Sequence, residues 1–195
     1  MDTLIAAKRD LTTKAKRLRK EGYITGIVYG KEVKESIPVK MKKTDVAQIL
    51  KTKTKGSQIM LDVEGQKYDV LIKEIDYNPL KGDVDEIDFQ ALVSGEKVHS
   101  VAEIILLNHE KVTTGILQQK LREISYKAVP EALVDKVEIN VENMRIGDSL
   151  RVKDLDIAAR KDIELLTDLD TTVVMVTEVH GSANTADSED AAPEA

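Results

Sequence analysis

Between Lys14 and Lys20, five of seven residues are basic and none is acidic: Lys14, Lys16, Arg17, Arg19 and Lys20. The whole chain carries a formal net charge of -6. A dense cationic cluster in an acidic protein is a local device. Its simplest chemistry is contact with a polyanion, because each neutralised phosphate releases a condensed counterion. A second basic group, Lys51, Lys53 and Lys55, reads equally as a solvated loop or a phosphate contact. Asp88 has the chemistry of RNA readout, since a carboxylate accepts from base amines and 2′-hydroxyls. It would serve equally to satisfy backbone donors at a strand end. Tyr29 reads as a core or edge tyrosine or as a base contact, and Lys73 as an edge contact or an outward, solvated side chain.

Other chemistries lack their residues. The chain has no cysteine, which excludes a disulfide framework, a thiolate metal site and a cysteine nucleophile. His99, His109 and His180 are far apart and show no metal-ligand spacing. Gly26 to Gly30 lacks the lysine and serine of a phosphate-binding loop, and no Gly-x-Ser-x-Gly elbow is present. We expect no enzyme activity, metal, cofactor or small-molecule substrate. No apolar run approaches the roughly 20 residues of a membrane span. The first residues lack the apolar stretch of a signal peptide, so the expectation is a cytoplasmic protein.

The cationic cluster needs a helix to display it. Leu11, Ala15 and Leu18 are spaced to form one apolar stripe. Thr12 or Thr13 is the predicted cap, and Gly22 suits the position past the end. Strands are expected over 23–29, over 36–41 with Pro38 favouring an edge, and over 84–93. Alternation at Ile59, Leu61 and Val63, the turn Glu64-Gly65-Gln66 and the return over 68–75 predict a hairpin. A short helix over 44–50 would be capped by Thr44. Phe89, the single phenylalanine, is expected in the core.

Beyond Ser94-Gly95-Glu96 the pattern changes. Strands are predicted over 98–107, 117–129, 137–141 and 172–179. Helix signals there are weak, one turn at 130–133 and a stretch at 152–159. Residues 1–95 hold 18 Lys and Arg against 15 Asp and Glu, whereas 96–195 hold 11 against 20. This asymmetry suggests two domains, 1–95 and 96–180, with different partners. The segment 181–195 has no large apolar residue and reads as a disordered acidic tail. The fold class is mainly β with short helices.

Three groups of fragments, in order, resemble a known family. The first is Leu18-Arg19, Gly22 and Ile27-Val28-Tyr29-Gly30. The second is Leu71-Ile72-Lys73-Glu74-Ile75, Asn78-Pro79 and Ile87-Asp88-Phe89. The third is Val129-Pro130-Glu131-Ala132-Leu133, Ile139-Asn140-Val141 and Ile146-Gly147-Asp148-Ser149-Leu150. Together they resemble the bacterial large-subunit ribosomal protein L twenty-five, in its longer two-domain form, the general stress protein Ctc. The resemblance covers about residues 3–179. It implies a small N-terminal β-barrel that binds 5S ribosomal RNA in an irregular minor groove, with a separate β-rich C-terminal domain. It also implies neighbouring ribosomal proteins as partners.

The resemblance implies RNA contacts for Arg9, Arg19, Tyr29 and Asp88, to which the residues themselves add Lys14, Lys16, Arg17, Lys20 and Lys73. Three positions depart from the family pattern. Glu86 stands where the family has histidine, Asp76 where glutamine is frequent, and Thr25 where proline is usual. Glutamate at neutral pH accepts hydrogen bonds only and would repel phosphate. The departure therefore motivates an alternative reading: a stress-related interaction protein with weakened RNA binding, acting through its acidic C-terminal half.

Overall fold

A computed structural model describes residues 2–31, 33–113 and 115–178. The first half is β1 (Thr3–Lys8), α1 (Ala15–Lys20), β2 (Tyr23–Tyr29), β3 (Ile37–Lys42), α2 (Lys43–Ile49), β4 (Gln58–Val63), β5 (Gln66–Tyr77) and β6 (Val84–Ala91). These six strands close into a barrel in the order β1-β3-β2-β6-β5-β4. The parallel pair β1 and β4 closes it, and β2 and β6 are also parallel. Period-two alternation drives the closure. On β4, Ile59, Leu61 and Val63 are buried and their neighbours are not. Leu4, Val28, Val39, Met41, Ile72 and Phe89 complete the interior. Glu64 and Gly65 both adopt positive φ, the twist a two-residue hairpin requires.

Three local expectations change. α1 spans six residues and its N-cap, Lys14, makes no side-chain cap bond. Leu11 lies outside the helix and is 74% exposed, because Asp10 instead ties Thr12 into a turn. Thr44 does not cap α2; its hydroxyl donates to Asp45, and the N-cap is Lys42. Strand β3 is not an edge: it pairs with β1 and β2, since a closed barrel has none. Pro38 is tolerated because the β1 register ends at Val39, and Pro38 only accepts, from the Arg9 N–H.

The second half comprises β7 (Val98–Leu107), β8 (Ile116–Gln119), β9 (Glu123–Ala128), β10 (Lys136–Asn140), β11 (Ser149–Arg151), β12 (Ile163–Leu165) and β13 (Thr172–Thr177). One sheet runs β10-β7-β9-β12 and another β11-β13-β8. Their shared core includes Ile124, Tyr126, Val141, Val173 and Val174. The fully buried Tyr126 is satisfied: its hydroxyl donates to the Val134 carbonyl at 3.0 Å and accepts from the Val134 N–H at 2.8 Å. The stretch predicted as one strand over 117–129 is broken, because the Lys120 and Leu121 amides both bond the Val173 carbonyl. The weak helix at 152–159 is two 3-10 turns. The acidic tail and His180 lie outside the described residues.

The halves touch through directed contacts. Leu71, facing out of the barrel on β5, is buried with Leu92 and Val98 against Leu133. Lys53 meets Asp135 at 2.8 Å and Lys55 meets Glu123 at 3.8 Å. Ser100 donates to the Gly56 carbonyl at 3.2 Å, and Lys31 pairs with Glu96. Two lysines of the second basic group are thus ion-paired within the chain.

Candidate nucleic-acid interface

The strand register assembles the outer face of the barrel. Arg9 bonds Pro38; Pro38 lies opposite Ile27, Ile27 opposite Asp88, and Asp88 opposite Glu74. The adjacent row runs Ala7, Lys40, Thr25, Glu86, Asp76. One step further, Tyr29 lies opposite Gln90. These side chains point away from the barrel interior, which strand neighbours such as Val28, Ile87 and Phe89 fill; Thr25 among them is fully buried, its hydroxyl donating to the Asp85 carbonyl at 3.5 Å.

Helix α1 sits against β2 and borders this face. Leu18 is its buried anchor, and Gly22 at φ +86° ends it. Arg19 is held at the rim: its Nε donates to the Asp85 carbonyl at 3.2 Å, and its guanidinium lies 3.7 Å from the carboxylates of both Asp85 and Glu86. Lys14, Lys16, Arg17 and Lys20 are exposed, with Arg17 paired to Glu21 at 2.8 Å. Arg9 braces the turn before the helix by donating to the Thr13 carbonyl, while its Nε is buried without a hydrogen-bond partner.

The structure therefore brings Arg19, Tyr29 and Asp88 to one face, with Arg9 at the end of the Asp88 row. Lys73 is not part of that group. It is the extra residue where the β5–β6 register shifts between Ile72 and Glu74. Its ammonium donates to the His99 carbonyl at 2.9 Å, and burial, with Lys55 nearby, pushes its pKa down.

The face is not uniformly cationic. Glu74, Asp76, Glu86 and Asp88 converge on β5 and β6. Burial pushes the Asp88 carboxyl up, and Glu86, Glu74 and Asp76 push it further. Burial, then Asp88 and Glu74, raise the Tyr29 phenol. Cations surround an acidic floor. Lys40 adds to them, with its ammonium 5.5 Å from the centre of the Tyr23 ring. Sequence reading missed Glu74 and Lys40, because only cross-strand pairing places them beside the named residues. Among the described residues, no group of three or more His, Asp or Glu is arranged to hold a metal ion.

A stability prediction follows from Asp88. Its folded-state pKa is raised, so its ionised form costs stability above that pKa. The cost disappears as pH falls through it. Asp88→Asn should therefore raise the thermal midpoint at pH 7, and the gain should shrink as the pH is lowered. A midpoint unchanged or lowered at pH 7 would refute the repulsion.

Comparison with known proteins gives a consistent set of matches. Residues 4–89 match the model described as the Ribosomal L25p family, and residues 86–180 match that of ribosomal protein TL5, C-terminal domain. A large ribosomal subunit protein bL25 from Carboxydothermus hydrogenoformans is 32% identical over 161 residues, covering 80% of each chain. One from Thermosipho africanus is 30% identical, covering 84% of this chain and 80% of the relative. One from Listeria monocytogenes is 28% identical, covering 99% and 94%.

Proposed function

This chain belongs to the bL25 family of large ribosomal subunit proteins, in the form that carries a TL5-type C-terminal region, and from that premise we propose that its barrel binds 5S ribosomal RNA. Its role is structural and non-enzymatic, within the ribosome. Helix α1 supplies phosphate contacts through Lys14, Lys16, Arg17 and Lys20. Arg19 contacts the backbone at the rim, Tyr29 offers a ring to a base or ribose, and Asp88 accepts from base amines or 2′-hydroxyls. The division into a barrel over 1–95 and a β-rich unit over 96–180 is part of the same reading. Neighbouring ribosomal proteins are the partners of the second unit. No feature of the matched families supports the stress-related alternative.

The observation that carries the proposal is the single outer face shared by Arg19, Tyr29 and Asp88. With about five phosphates neutralised, the slope of log K on log salt is expected to be roughly -4. A filter-binding titration of the full chain on isolated 5S rRNA measures it, and absence of salt dependence overturns the proposal. Arg19→Ala is expected to cost about 1–3 kcal/mol of binding. A change within error would remove Arg19 from the interface.

A further inference from the structure

A cleft of about 350 Å³ lies between α1 and the β5–β6 loop, beside the face described above and sharing Arg19 with it. Lys16, Arg19 and Lys20 line it from the helix, Lys81 from the loop and Lys43 from the start of α2. Only two carboxylates oppose these five cations, Asp83 and Asp85. Each already has a partner: Asp83 pairs with Lys43 at 2.6 Å and Asp85 with Arg19. Among the described residues, Lys16, Lys20 and Lys81 have no ion-pair partner. Cations that line one cleft repel, so the arrangement favours entry of an anion.

The loop is built to hold Lys81 in place. The Asn78 side-chain oxygen accepts from the Leu80 and Lys81 amides at 3.1 and 3.2 Å. The Asn78 amide bonds the Asp83 carbonyl at 2.7 Å, and the Gly82 amide bonds the Asn78 carbonyl at 2.8 Å. The Asn78 side chain also donates to Asp85 at 3.3 Å, which ties the loop to the strand carrying Glu86 and Asp88. Asn78-Pro79 therefore shapes the loop, a role the readout face does not use.

Resting on the 5S rRNA reading, we propose that this cleft clamps a phosphodiester segment of the same RNA, with Lys81 and Lys43 as phosphate contacts opposite Lys16 and Lys20. An open cleft lined by cations suits a charged backbone. Its lining is mainly charged, with Tyr23, Ile24 and Val84 as its apolar part, whereas pockets for small organic ligands are predominantly apolar. The clamp also explains how RNA tolerates the acidic floor: phosphates are held at the margin, and the carboxylates face base edges and hydroxyls.

The test is the salt dependence of 5S rRNA binding by the full chain carrying Lys43→Ala and Lys81→Ala together. Loss of two phosphate contacts should flatten the log–log slope by about 1.5 and weaken binding on the order of tenfold near 0.1 M salt. Lys81→Ala alone, in an exposed loop, should give about half the change in slope without affecting the fold. Lys67→Ala, an exposed lysine on the far hairpin, should change neither. If the natural chain binds with a steep slope and both lysine variants keep it, the clamp is refuted and the 5S reading stands. If the natural chain does not bind 5S rRNA, the 5S reading fails and takes the clamp with it.

Discussion

Glu86→His should tighten binding to 5S rRNA by about tenfold at low salt, and by more as the pH falls through the imidazole range. Glu86 occupies the row Thr25, Glu86, Asp76, and it shares the Arg19 guanidinium with Asp85 at 3.7 Å. Part of Arg19's charge is spent inside the protein. The substitution removes a negative charge from the RNA-facing surface and frees Arg19 for phosphate. It also introduces a donor whose ordinary pKa is about 6.5. The neighbouring carboxylates of Asp76 and Asp88 favour the imidazolium and the Arg19 guanidinium opposes it, so the gain grows on acidification and fades above the imidazole range. The fold should barely respond, since a pair this exposed is worth at most about 1 kcal/mol. Affinity unchanged or weakened between pH 6 and 8, by filter binding, would show that Glu86 does not face the RNA.

Gly56→Ala should loosen the contact between the two halves and cost on the order of 3 kcal/mol or more. Gly56 adopts φ +87°, and a Cβ placed there would stand 1.9 Å from the Val101 carbonyl oxygen and 3.1 Å from the Ser100 hydroxyl. That backbone oxygen belongs to β7 of the second half and has no flexible side chain to move aside. Gly65 separates the two causes. It has φ +92° with nothing within 4 Å of an added Cβ, so Gly65→Ala should cost only the conformational part, about 1–2 kcal/mol. In the Gly56 variant Lys53, Lys55 and Lys73 lose their partners in the second half. A weak, strongly salt-dependent, non-specific RNA-binding component should then appear. Thermal unfolding and binding to unrelated RNA measure the two effects. Equal costs at Gly56 and Gly65 would mean that the close approach to Val101 is unimportant.

Much of the barrel was legible because its signals are local. The strands over 23–29 and 98–107 are found with the expected boundaries, and Phe89 is fully buried. The hairpin at Glu64-Gly65 needs only the conformational freedom of two adjacent residues. The helix was overestimated, because a stripe beginning at Leu11 presumes a core surface above it, and the barrel provides one only for Leu18. Lys73 and Lys53 illustrate the other limit. Their partners, the His99 carbonyl and Asp135, lie 26 and 82 residues away.

Taken alone, the order of residues determined most of the strands, though not β1, β11 or β12, and which segment concentrates positive charge and where the chain changes character. Those properties depend on side-chain period and composition over a few neighbouring residues. Only the closed barrel decided that Glu74, Asp76, Glu86 and Asp88 share one surface with Tyr29, and that lysines from the helix, the β5–β6 loop and α2 line one cleft. Electrostatic energy depends on separation in space, and strand pairing, not sequence distance, sets that separation.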